Sequence, residues 1–285
     1  MLEACIASAP PDNPCVLAAR HHFAAGGSRL RARICLGAAK RLGVDATTSQ
    51  QLACTCELLH NASLIHDDLL DRAPLRRAQA SIWSSFGDGT ALCTGDLMLA
   101  AAYASIANLG AATHFPALFG IVHRRAQSLI LGQAAELAVF DGSTITAQQY
   151  EALAEGKSAA LLSLSLELPL CTAGHEFSLP QARQVATSFA IAYQIADDLA
   201  DFEQDQLAHS LNLISVLLSS TGISPDEAKE QAAARAKELL HRAINLARDL
   251  PCECAAVLVD HAETLLLRLA PTSELTALTA PSASG

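Results

Sequence analysis

The sequence has 285 residues, of which 51% are hydrophobic and 17% are charged, and its net charge is −10. This length can bury one large core, while the acidic balance argues against a nucleic-acid binder and favours metal cations as partners. Ala and Leu dominate the apolar residues, and aromatic residues make up only 4% of the chain. Because Ala and Leu favour helix over strand, this composition predicts an all-α protein.

The predicted helices lie between two terminal segments that we expect to be flexible. Residues 1–14 are rich in proline, and residues 271–285 are rich in Ser, Thr, Ala and Pro. Glu3 and the lack of a basic region argue against a signal peptide. No Pro/Gly-rich linker divides residues 15–270, so we expect one domain there. Its predicted helices cover 15–25, 29–42, 48–71, 90–109, 114–138, 147–172, 178–202, 210–219, 225–249 and 252–269.

Turn residues separate these helices, and one such turn bears on the question of a membrane span. The stretch from Leu97 to Val122 lacks Asp, Glu, Lys and Arg, which is compatible with a span. However, Asn108-Leu109-Gly110 and the segment 113–116 interrupt it. We therefore predict two buried helices and a cytoplasmic protein with no transmembrane helix. The other turn signals are Gly26-Gly27, Gly43, Pro74, Gly87-Asp88-Gly89, Asp141-Gly142, Gly174, Gly222 and Pro251.

The chain contains nine cysteines, an odd number that argues against a disulfide framework. The pairs Cys54/Cys56 and Cys252/Cys254 have one intervening residue, whereas zinc sites have two to four. We interpret these four cysteines as buried small residues in a reducing compartment.

Two segments, 67–71 and 197–201, repeat the pattern Asp-Asp-x-x-Asp. In a helix, residues i and i+4 lie on one face, so the outer aspartates of each segment share a face. Like charges at this spacing destabilise an isolated helix by a few tenths of a kcal/mol. The predicted bounds also place both segments near helix C-termini, where the helix dipole disfavours negative charge.

A divalent cation would offset both unfavourable effects. Mg²⁺ takes one or two protein carboxylates and keeps its other positions for water and phosphate oxygens. One cluster alone is explained equally well as a solvated helix end. Both clusters, however, lie in strongly apolar helices, where solvation is not the default. The loops lack the alternating ligands and central Gly of an EF-hand. We therefore predict two aspartate-rich helices that bind Mg²⁺ and a diphosphate.

The residues around both clusters match a known family over about two-thirds of the chain. The sequence resembles the trans-isoprenyl diphosphate synthases, the farnesyl/geranylgeranyl diphosphate synthase group. The matching segments are Leu58-Leu59-His60-Asn61-Ala62-Ser63-Leu64-Ile65-His66-Asp67-Asp68 with Asp71 and Arg76-Arg77, Phe86-Gly87 through Gly95-Asp96, Gly132-Gln133, Gly156-Lys157-Ser158, and Tyr193-Gln194-Ile195-Ala196-Asp197-Asp198.

The resemblance implies an isoprenoid synthase helical bundle around a deep central apolar cavity, two or three Mg²⁺ ions, and a homodimer. It implies that the Mg²⁺ ligands are Asp67, Asp68, Asp71, Asp197 and Asp201. It implies that the allylic diphosphate is bound by Arg76, Ser158 and Asp198. It implies that the catalytic residues at this diphosphate are Asp67, Asp71, Asp197, Lys157 and Gln194. It implies that isopentenyl diphosphate is bound by Arg31, His60 and Arg77. The helical wheel agrees, because His60, Asp67 and Asp71 share one stripe.

Three departures from the family pattern affect the substrate sites. Ser28 stands where the family has a Lys that binds isopentenyl diphosphate, so one cation is lost. After Asp201 the next Lys is Lys229, and His209-Ser210 stands where Lys-Thr is usual. Ala78 replaces a Gly after the arginine pair, which we expect to alter only the backbone of that loop.

The product and the reaction stay open at this point. Leu59, Ala62 and Ser63 lie where the family sets product length, and their lack of an aromatic ring implies C15 or longer, with C20 preferred. The leading hypothesis is a prenyltransferase. A class I terpene synthase-like enzyme is favoured by Ser28 but opposed by the retained Arg31, His60 and Arg77. A regulatory subunit of a heteromeric synthase is opposed by the six retained aspartates.

Overall fold

The computed structural model describes residues 10–109, 114–139, 145–208 and 210–270. Across these ranges the backbone is helical apart from turns and one pair of two-residue strands, which confirms the predicted all-α class. The elements are α1 (Pro14–Ala24), α2 (Leu30–Arg41), α3 (Ala46–Leu70), β1 (Leu75–Arg76), β2 (Gln79–Ala80), α4 (Ile82–Phe86), α5 (Asp88–Ala107), α6 (Phe115–Val139), α7 (Ala147–Ala154), α8 (Ala160–Thr172), α9 (Leu179–Ala208), α10 (Leu213–Thr221), α11 (Pro225–Ala247) and α12 (Ala256–Arg268).

The chain divides into two compact units. Unit 1 contains Met1–Gln127 and Leu161–Leu179, and unit 2 contains Ser128–Ala160 and Pro180–Gly285. Helix α6 therefore passes from unit 1 into unit 2 after Gln127. The single domain over 15–270 stays a prediction.

The expected flexibility of the termini concerns segments that lie largely outside the described residues. Residues 1–9 and 271–285 are outside them. Pro14 begins α1, and the Asn13 side chain accepts a hydrogen bond from the Cys15 amide at 2.9 Å. This Asn cap followed by Pro at the first helical position is typical of a helix start.

In unit 1, α3 is the central helix and packs against α2, α4 and α5. Asp45 caps α3 by accepting a hydrogen bond from the Thr48 amide at 3.0 Å. Leu52, Leu58 and Ile65 are buried along it, and each such side chain contributes about 1.5–3 kcal/mol. This packing fixes the helix end that carries the first aspartate motif.

Helices α5 and α6 account for the long uncharged stretch of the sequence. α5 ends at Ala107 and α6 begins at Phe115, which confirms the predicted break between two helices. Among the described helices, α5 alone is long and apolar enough to cross a membrane. It contacts α1, α3 and α4 within unit 1. However, only 44% of its apolar window is buried, and Ile130 and Leu131 of α6 are exposed, so the prediction that both helices are buried is wrong for this chain.

A short hairpin follows α3, with Arg76 on β1 opposite Gln79 on β2. Its two loop residues, Arg77 and Ala78, have φ angles of 55° and 62°, as a type I′ turn requires. Because side chains disfavour this region by roughly 1–2 kcal/mol per residue, Ala78 occupies a glycine-like conformation. The turn therefore forms despite the replaced Gly.

In unit 2, α10 contacts α7 and α11, and α11 contacts α12. Ser224 and Glu227 form a reciprocal capping box at the start of α11, which satisfies helix-end amides. Leu239 and Leu240 are buried further along the helix. These contacts build a helical support for the segment that follows the second aspartate motif.

Helix α9 continues past the second motif, so the predicted helix end at residue 202 is wrong. α9 runs to Ala208, and Asp201 therefore lies inside the helix. The segment 202–208 contains no Gly or Pro, and nothing in it interrupts helical hydrogen bonding. The argument from the helix dipole applies to the first motif only.

Two further details refine the sequence predictions. The predicted helix over 147–172 is interrupted by a π-helical turn at Glu155–Ala159. Cys54, Cys56 and Cys254 are buried, but Cys252 is exposed because it lies in the surface turn before α12. The predicted turn at Asp141-Gly142 lies outside the described residues.

Candidate active site

The first aspartate motif forms the end of α3 in unit 1. Asp71 is the last capping residue, and its amide donates a hydrogen bond to the Asp67 carbonyl at 2.8 Å. Asp67 is buried to 9% exposure, whereas Asp71 is exposed. The i, i+4 spacing therefore places both outer carboxylates on one face of the helix end, as predicted.

The middle residue of the first motif has a different environment. Asp68 is 2% exposed and accepts hydrogen bonds from the Arg76 guanidinium. Burial raises the pKa of Asp68, and Arg76 opposes this shift. The arginine that was predicted to contact the allylic diphosphate is thus also the ion-pair partner of Asp68.

A cluster of basic side chains lies beside the first motif in unit 1. It contains the three predicted isopentenyl diphosphate ligands, Arg31, His60 and Arg77, together with Arg29 and Arg76. Burial, Arg31 and Arg77 lower the pKa of His60 well below its usual value, so the imidazole is neutral at pH 7. Burial, Arg29 and Arg76 also lower the pKa of Arg77. Such mutual repulsion makes the cluster suited to binding an anion.

The Gly26-Gly27 pair makes room for one of these arginines. The Arg77 guanidinium donates a hydrogen bond to the Gly26 carbonyl. Gly27 has a φ of 129°, and a Cβ built there would lie 2.5 Å from Arg77 Nη1. Only glycine at position 27 therefore permits this approach.

A buried polar network supports the basic cluster, and the sequence did not indicate it. Glu57 accepts a hydrogen bond from the Ala32 amide at 3.0 Å and lies 3.8 Å from Arg29 Nη1. Asn61 donates to the Glu57 carbonyl at 2.6 Å and is hydrogen-bonded to His22 at 2.9 Å. Burial lowers the pKa of His22 to about 4, so it is neutral at pH 7. The network joins α1, the start of α2 and α3.

The three predicted chain-length residues lie on α3 before the first motif. Leu59 and Ala62 are buried, and Ser63 donates a hydrogen bond to the His60 carbonyl at 2.8 Å. None of these side chains is larger than leucine, in keeping with the absence of an aromatic block.

The second motif lies in unit 2 on α9. Asp198 is 2% exposed, and its carboxylate accepts hydrogen bonds from the Tyr150 hydroxyl and the Leu213 amide, both at 2.7 Å, and from Gln194 at 3.0 Å. Asn212 donates to the Asp198 carbonyl at 2.9 Å. Asp198 therefore connects α9 to α7 and to the start of α10. Tyr150 and Asn212 were not predicted as site residues.

The outer carboxylates of the second motif repel each other. Burial raises the pKa of Asp197 to about 6, with contributions from Asp201 and Asp198, while Arg268 opposes the shift. Asp201 is exposed. The negative charges of Asp197, Asp198 and Asp201 lie close together and oppose the ionisation of Asp197. A bound cation would therefore stabilise the ionised form of this cluster.

Three predicted diphosphate ligands of unit 2 line one pocket of about 100 Å³. They are Lys157, Ser158 and Gln194, which the structure thus brings together. Glu136 also lines the pocket and accepts a hydrogen bond from Lys157 Nζ at 2.8 Å. Glu136 was missed, although it lies one helical turn after the Gly132-Gln133 match.

A close approach of two glycines positions Lys157. A Cβ built on Gly132 of α6 would lie 2.7 Å from the Gly156 carbonyl carbon, so the two backbones are in direct contact. The π-helical turn at Glu155–Ala159 contains both Gly156 and Lys157, and such turns are frequent at functional sites. The close backbone contact therefore explains why glycine occupies both positions 132 and 156.

The donor set of both motifs fits Mg²⁺. The side chains at the outer positions, Asp67, Asp71, Asp197 and Asp201, provide carboxylate oxygens, which this hard cation prefers. The i, i+4 spacing leaves each pair on one face. Burial, followed by Asp201 and Asp198, raises the pKa of Asp197, so a bound cation would stabilise the ionised form of this carboxylate.

Two departures from the family pattern concern Ser28 and the segment that follows Asp201. Ser28 is exposed at the turn before α2. His209 lies outside the described residues. Phe202 directly follows the second motif, and Lys229 Nζ lies 5.3 Å from the centre of its ring.

The sequence matches the polyprenyl synthetase family over residues 13–212. It is 33% identical over 174 residues to the (2E,6E)-farnesyl diphosphate synthase of Mycobacterium tuberculosis, a match that covers 61% of this chain and 48% of the relative. It is 31% identical over 192 residues to the chloroplastic geranylgeranyl pyrophosphate synthase of Capsicum annuum, covering 65% of this chain and 52% of the relative. The chain thus spans about half the length of these curated relatives.

Solved structures show the same fold. The geranylgeranyl pyrophosphate synthetase of the archaeon Geoglobus acetivorans has a TM-score of 0.84 at 24% identity, over 93% of this chain and 95% of that one. A decaprenyl diphosphate synthase from Rhodobacter capsulatus has a TM-score of 0.83 at 20% identity, over 95% and 94%. The predicted isoprenoid synthase helical bundle is confirmed, while its central cavity stays a prediction. With both aspartate motifs inside the matched range, the chain belongs to the polyprenyl synthetase family.

Proposed function

We propose that the chain is a prenyltransferase that condenses isopentenyl diphosphate with an allylic diphosphate, head to tail and in the trans configuration. The observation that carries this proposal is the pair of Asp-Asp-x-x-Asp motifs, each with its outer carboxylates on one helix face and each accompanied by cationic side chains. Membership of the polyprenyl synthetase family and the named farnesyl and geranylgeranyl synthase relatives support it.

Mg²⁺ would be held by the outer carboxylates Asp67 and Asp71 in unit 1 and Asp197 and Asp201 in unit 2. Two or three bound ions would stabilise the negative charge that grows on the leaving diphosphate. Asp68 and Asp198 are buried and hydrogen-bonded, so we assign them to positioning the motifs. This assignment modifies the predicted roles of Asp68 in metal binding and Asp198 in substrate binding.

In unit 1, the basic cluster would bind the diphosphate of isopentenyl diphosphate. Arg31 and Arg77 supply charge, and a neutral His60 can donate one hydrogen bond. The retained cations would compensate for the Lys that Ser28 replaces. Arg76, held by Asp68, would present its remaining donors to the allylic diphosphate.

In unit 2, Lys157, Ser158 and Gln194 would bind the allylic diphosphate, since all three line one pocket. Lys157 carries charge to that pocket, and Glu136 holds it in place. When the allylic carbon–oxygen bond breaks, the isopentenyl double bond attacks the carbon, and the released diphosphate accepts the proton that is lost. The apolar side chains of the bundle would keep water from the cation.

The test is an incubation of purified protein with Mg²⁺ and farnesyl diphosphate, with and without isopentenyl diphosphate, followed by mass spectrometry. We expect a longer prenyl diphosphate only when isopentenyl diphosphate is present. A hydrocarbon or alcohol formed without it would replace this proposal with a terpene synthase. No turnover with geranyl, farnesyl or geranylgeranyl diphosphate would favour a regulatory subunit.

Product length is proposed as C15 or longer, with C20 preferred. The small residues Ala62 and Ser63 and the aliphatic Leu59 support this, because none blocks an elongating chain as an aromatic ring would. Ala62→Phe should shorten the main product by at least one isoprene unit, whereas Leu59→Ala should not shorten it. An unchanged product in Ala62→Phe would place the floor of the tunnel elsewhere.

A cytoplasmic homodimer is the proposed form of the protein. Phe119, Ile130 and Leu131 on α6 are 44%, 56% and 60% exposed, and apolar side chains in such numbers are typical of a covered surface. Light scattering at micromolar concentration should give twice the 29.8 kDa chain mass. A monomer would contradict this assembly without affecting the proposed chemistry.

A further inference from the structure

Three metal-ligating side chains come together in unit 1, away from both aspartate motifs in sequence. His114 precedes α6, Cys171 lies in the last turn of α8, and Glu176 lies in the short helical turn that follows α8. One ligand atom from each residue lies within 4.8 Å of the others. None of the three belongs to the substrate or Mg²⁺ sites described above.

The spacing of these atoms suits a tetrahedral ion. His114 Nδ1 lies 3.3 Å from Glu176 Oε1. Zinc bonds of about 2.0–2.3 Å imply ligand-to-ligand distances of roughly 3.3–3.6 Å at tetrahedral angles. The nitrogen and oxygen already have this separation, and the sulfur needs to move by at most about 1.5 Å from the 4.8 Å limit, which is within the range of a side-chain rotation.

The backbone holds the three residues in place. Gly174, with a φ of 79°, lies two residues after the end of α8, and its amide donates to the Cys171 carbonyl at 3.1 Å. The His175 amide donates to the Leu170 carbonyl at 2.8 Å. These hydrogen bonds form a turn after α8 that brings Glu176 close to Cys171. The His114 carbonyl accepts from the Leu118 amide at 2.9 Å, which anchors it to α6.

The cluster is buried on the side of Cys171 and open to solvent on the side of His114 and Glu176. Cys171 is fully buried, whereas the His114 and Glu176 side chains are 36% and 45% exposed. Burial, Glu176 and Glu167 raise the pKa of the Cys171 thiol to about 11, so the thiol is protonated at pH 7. Glu167 itself is held by Arg125 through two hydrogen bonds of 2.6 and 3.0 Å.

We propose that His114, Cys171 and Glu176 bind a divalent transition-metal ion of the zinc class, with water as the fourth ligand. A thiolate and an imidazole select such ions over Mg²⁺. Binding releases the thiol proton to solvent, because the thiolate is the ligand. The ion would tie the start of α6 to the end of α8 and so brace unit 1.

Cobalt(II) is the probe that tests this site, because a Co²⁺–thiolate bond gives a charge-transfer absorption that carboxylate sites lack. The reduced full-length protein is titrated with Co²⁺ in excess Mg²⁺, so that the aspartate motifs contribute no signal. Cys171→Ser, His114→Ala and Glu176→Gln are compared with Cys93→Ser, an exposed cysteine on α5. Circular dichroism checks that each variant is folded.

We expect a thiolate band that saturates at one equivalent, disappears in Cys171→Ser and is unchanged in Cys93→Ser. The apparent Kd should rise at least about 10-fold in His114→Ala and Glu176→Gln. Glu176→Gln changes an exposed residue and is expected to fold even if the buried substitution is not tolerated. A wild-type protein without a thiolate band, or one whose band survives in Cys171→Ser and Glu176→Gln, would overturn the proposal.

Discussion

The two aspartate motifs have the same residue pattern but different electrostatic surroundings. In unit 1, the buried Asp68 is paired with Arg76, and Arg77 adds positive charge nearby. In unit 2, the equally buried Asp198 accepts hydrogen bonds from the uncharged Tyr150 and Gln194. The middle carboxylate is thus satisfied by an ion pair in one unit and by neutral donors in the other.

This difference shows what the shared pattern specifies and what it leaves to the surroundings. The i, i+4 spacing fixes a pair of carboxylates on one face in both units. The neighbours then decide how strongly each pair depends on a cation. In unit 1 a basic cluster accompanies the motif, whereas in unit 2 burial, Asp201 and Asp198 together raise the pKa of Asp197.

The largest expected effect follows from removing the outer carboxylates. Asp67→Asn with Asp71→Asn, and Asp197→Asn with Asp201→Asn, should each lower kcat/KM by on the order of 10³-fold, because bound metal stabilises the leaving diphosphate. Steady-state assays over a range of Mg²⁺ concentrations measure this. Asp260→Asn, at an exposed position on α12, is the control and should keep wild-type activity. If kcat/KM falls in only one of the two double variants, the two motifs do not contribute equally to the reaction.

The middle carboxylates should differ in their contribution to stability. Asp198→Ala leaves the buried Tyr150 hydroxyl and the Leu213 amide without their acceptor, which should lower the free energy of unfolding by about 3 kcal/mol. Asp68→Ala should cost about 1–2 kcal/mol, because Arg76 is 31% exposed and water can solvate it. Urea denaturation measures both values. If Asp68→Ala lowers the free energy of unfolding more than Asp198→Ala does, the ion pair in unit 1 contributes more to stability than the neutral hydrogen bonds in unit 2, contrary to this prediction.

The backbone contact between Gly132 and Gly156 lies in unit 2. Gly132→Ala places a Cβ 2.7 Å from the Gly156 backbone, so we expect a loss of about 2 kcal/mol and a higher KM for the allylic diphosphate. A Cβ built on Gly120, on the same helix α6, would first meet the guanidinium end of the Arg124 side chain, at 3.2 Å, and no backbone atom is among its three nearest neighbours. Gly120→Ala should therefore stabilise the protein by up to about 1 kcal/mol through helix propensity. Equal effects of the two substitutions would argue against a close backbone contact.

The smallest expected effect concerns the pH dependence of metal-free protein. The pKa of Asp197 is raised to about 6 in the folded state, so ionised Asp197 destabilises the fold above pH 6, and this penalty disappears as the pH falls towards 4. Because Asp197 is partly solvent-exposed, the penalty is about 1 kcal/mol. In EDTA, Asp197→Asn should have the higher thermal midpoint at pH 7.5 and no advantage at pH 4.5.

Mg²⁺ provides the complementary check on this pH effect. Saturating Mg²⁺ at pH 7.5 should reverse the order, since only the wild type retains the carboxylate ligand. The midpoint of Asp260→Asn should follow that of the wild type at every pH. A constant difference between Asp197→Asn and the wild type across the pH range would contradict the raised pKa.

Local patterns in the sequence predicted the helices and the motifs well. The apolar residues of α3 and the repeated aspartates lie within a few residues of one another in the chain. The end of α9 was misplaced because the polar segment 202–208 was taken as a boundary, although it contains nothing that stops a helix. The hairpin was missed because Ala78 gives no turn signal where glycine would have given one.

Contacts between distant segments could not be derived from spacing. Tyr150 reaches Asp198 across 48 residues of sequence, and a single tyrosine on a helix is more often a core residue than a site residue. His114 and Cys171 belong to no short metal-binding motif, so their approach depends on tertiary packing. The contact between Gly132 and Gly156 likewise requires two helix backbones to meet.

The requirement for both aspartate motifs is tested most directly by calorimetric titration with inorganic diphosphate. Wild-type protein and the two double Asp→Asn variants are each titrated with and without Mg²⁺. We predict Mg²⁺-dependent binding by the wild type that falls at least about 10-fold when either motif loses its outer carboxylates. Wild-type affinity in either double variant, or binding that is indifferent to Mg²⁺, would contradict the proposed role of the motifs.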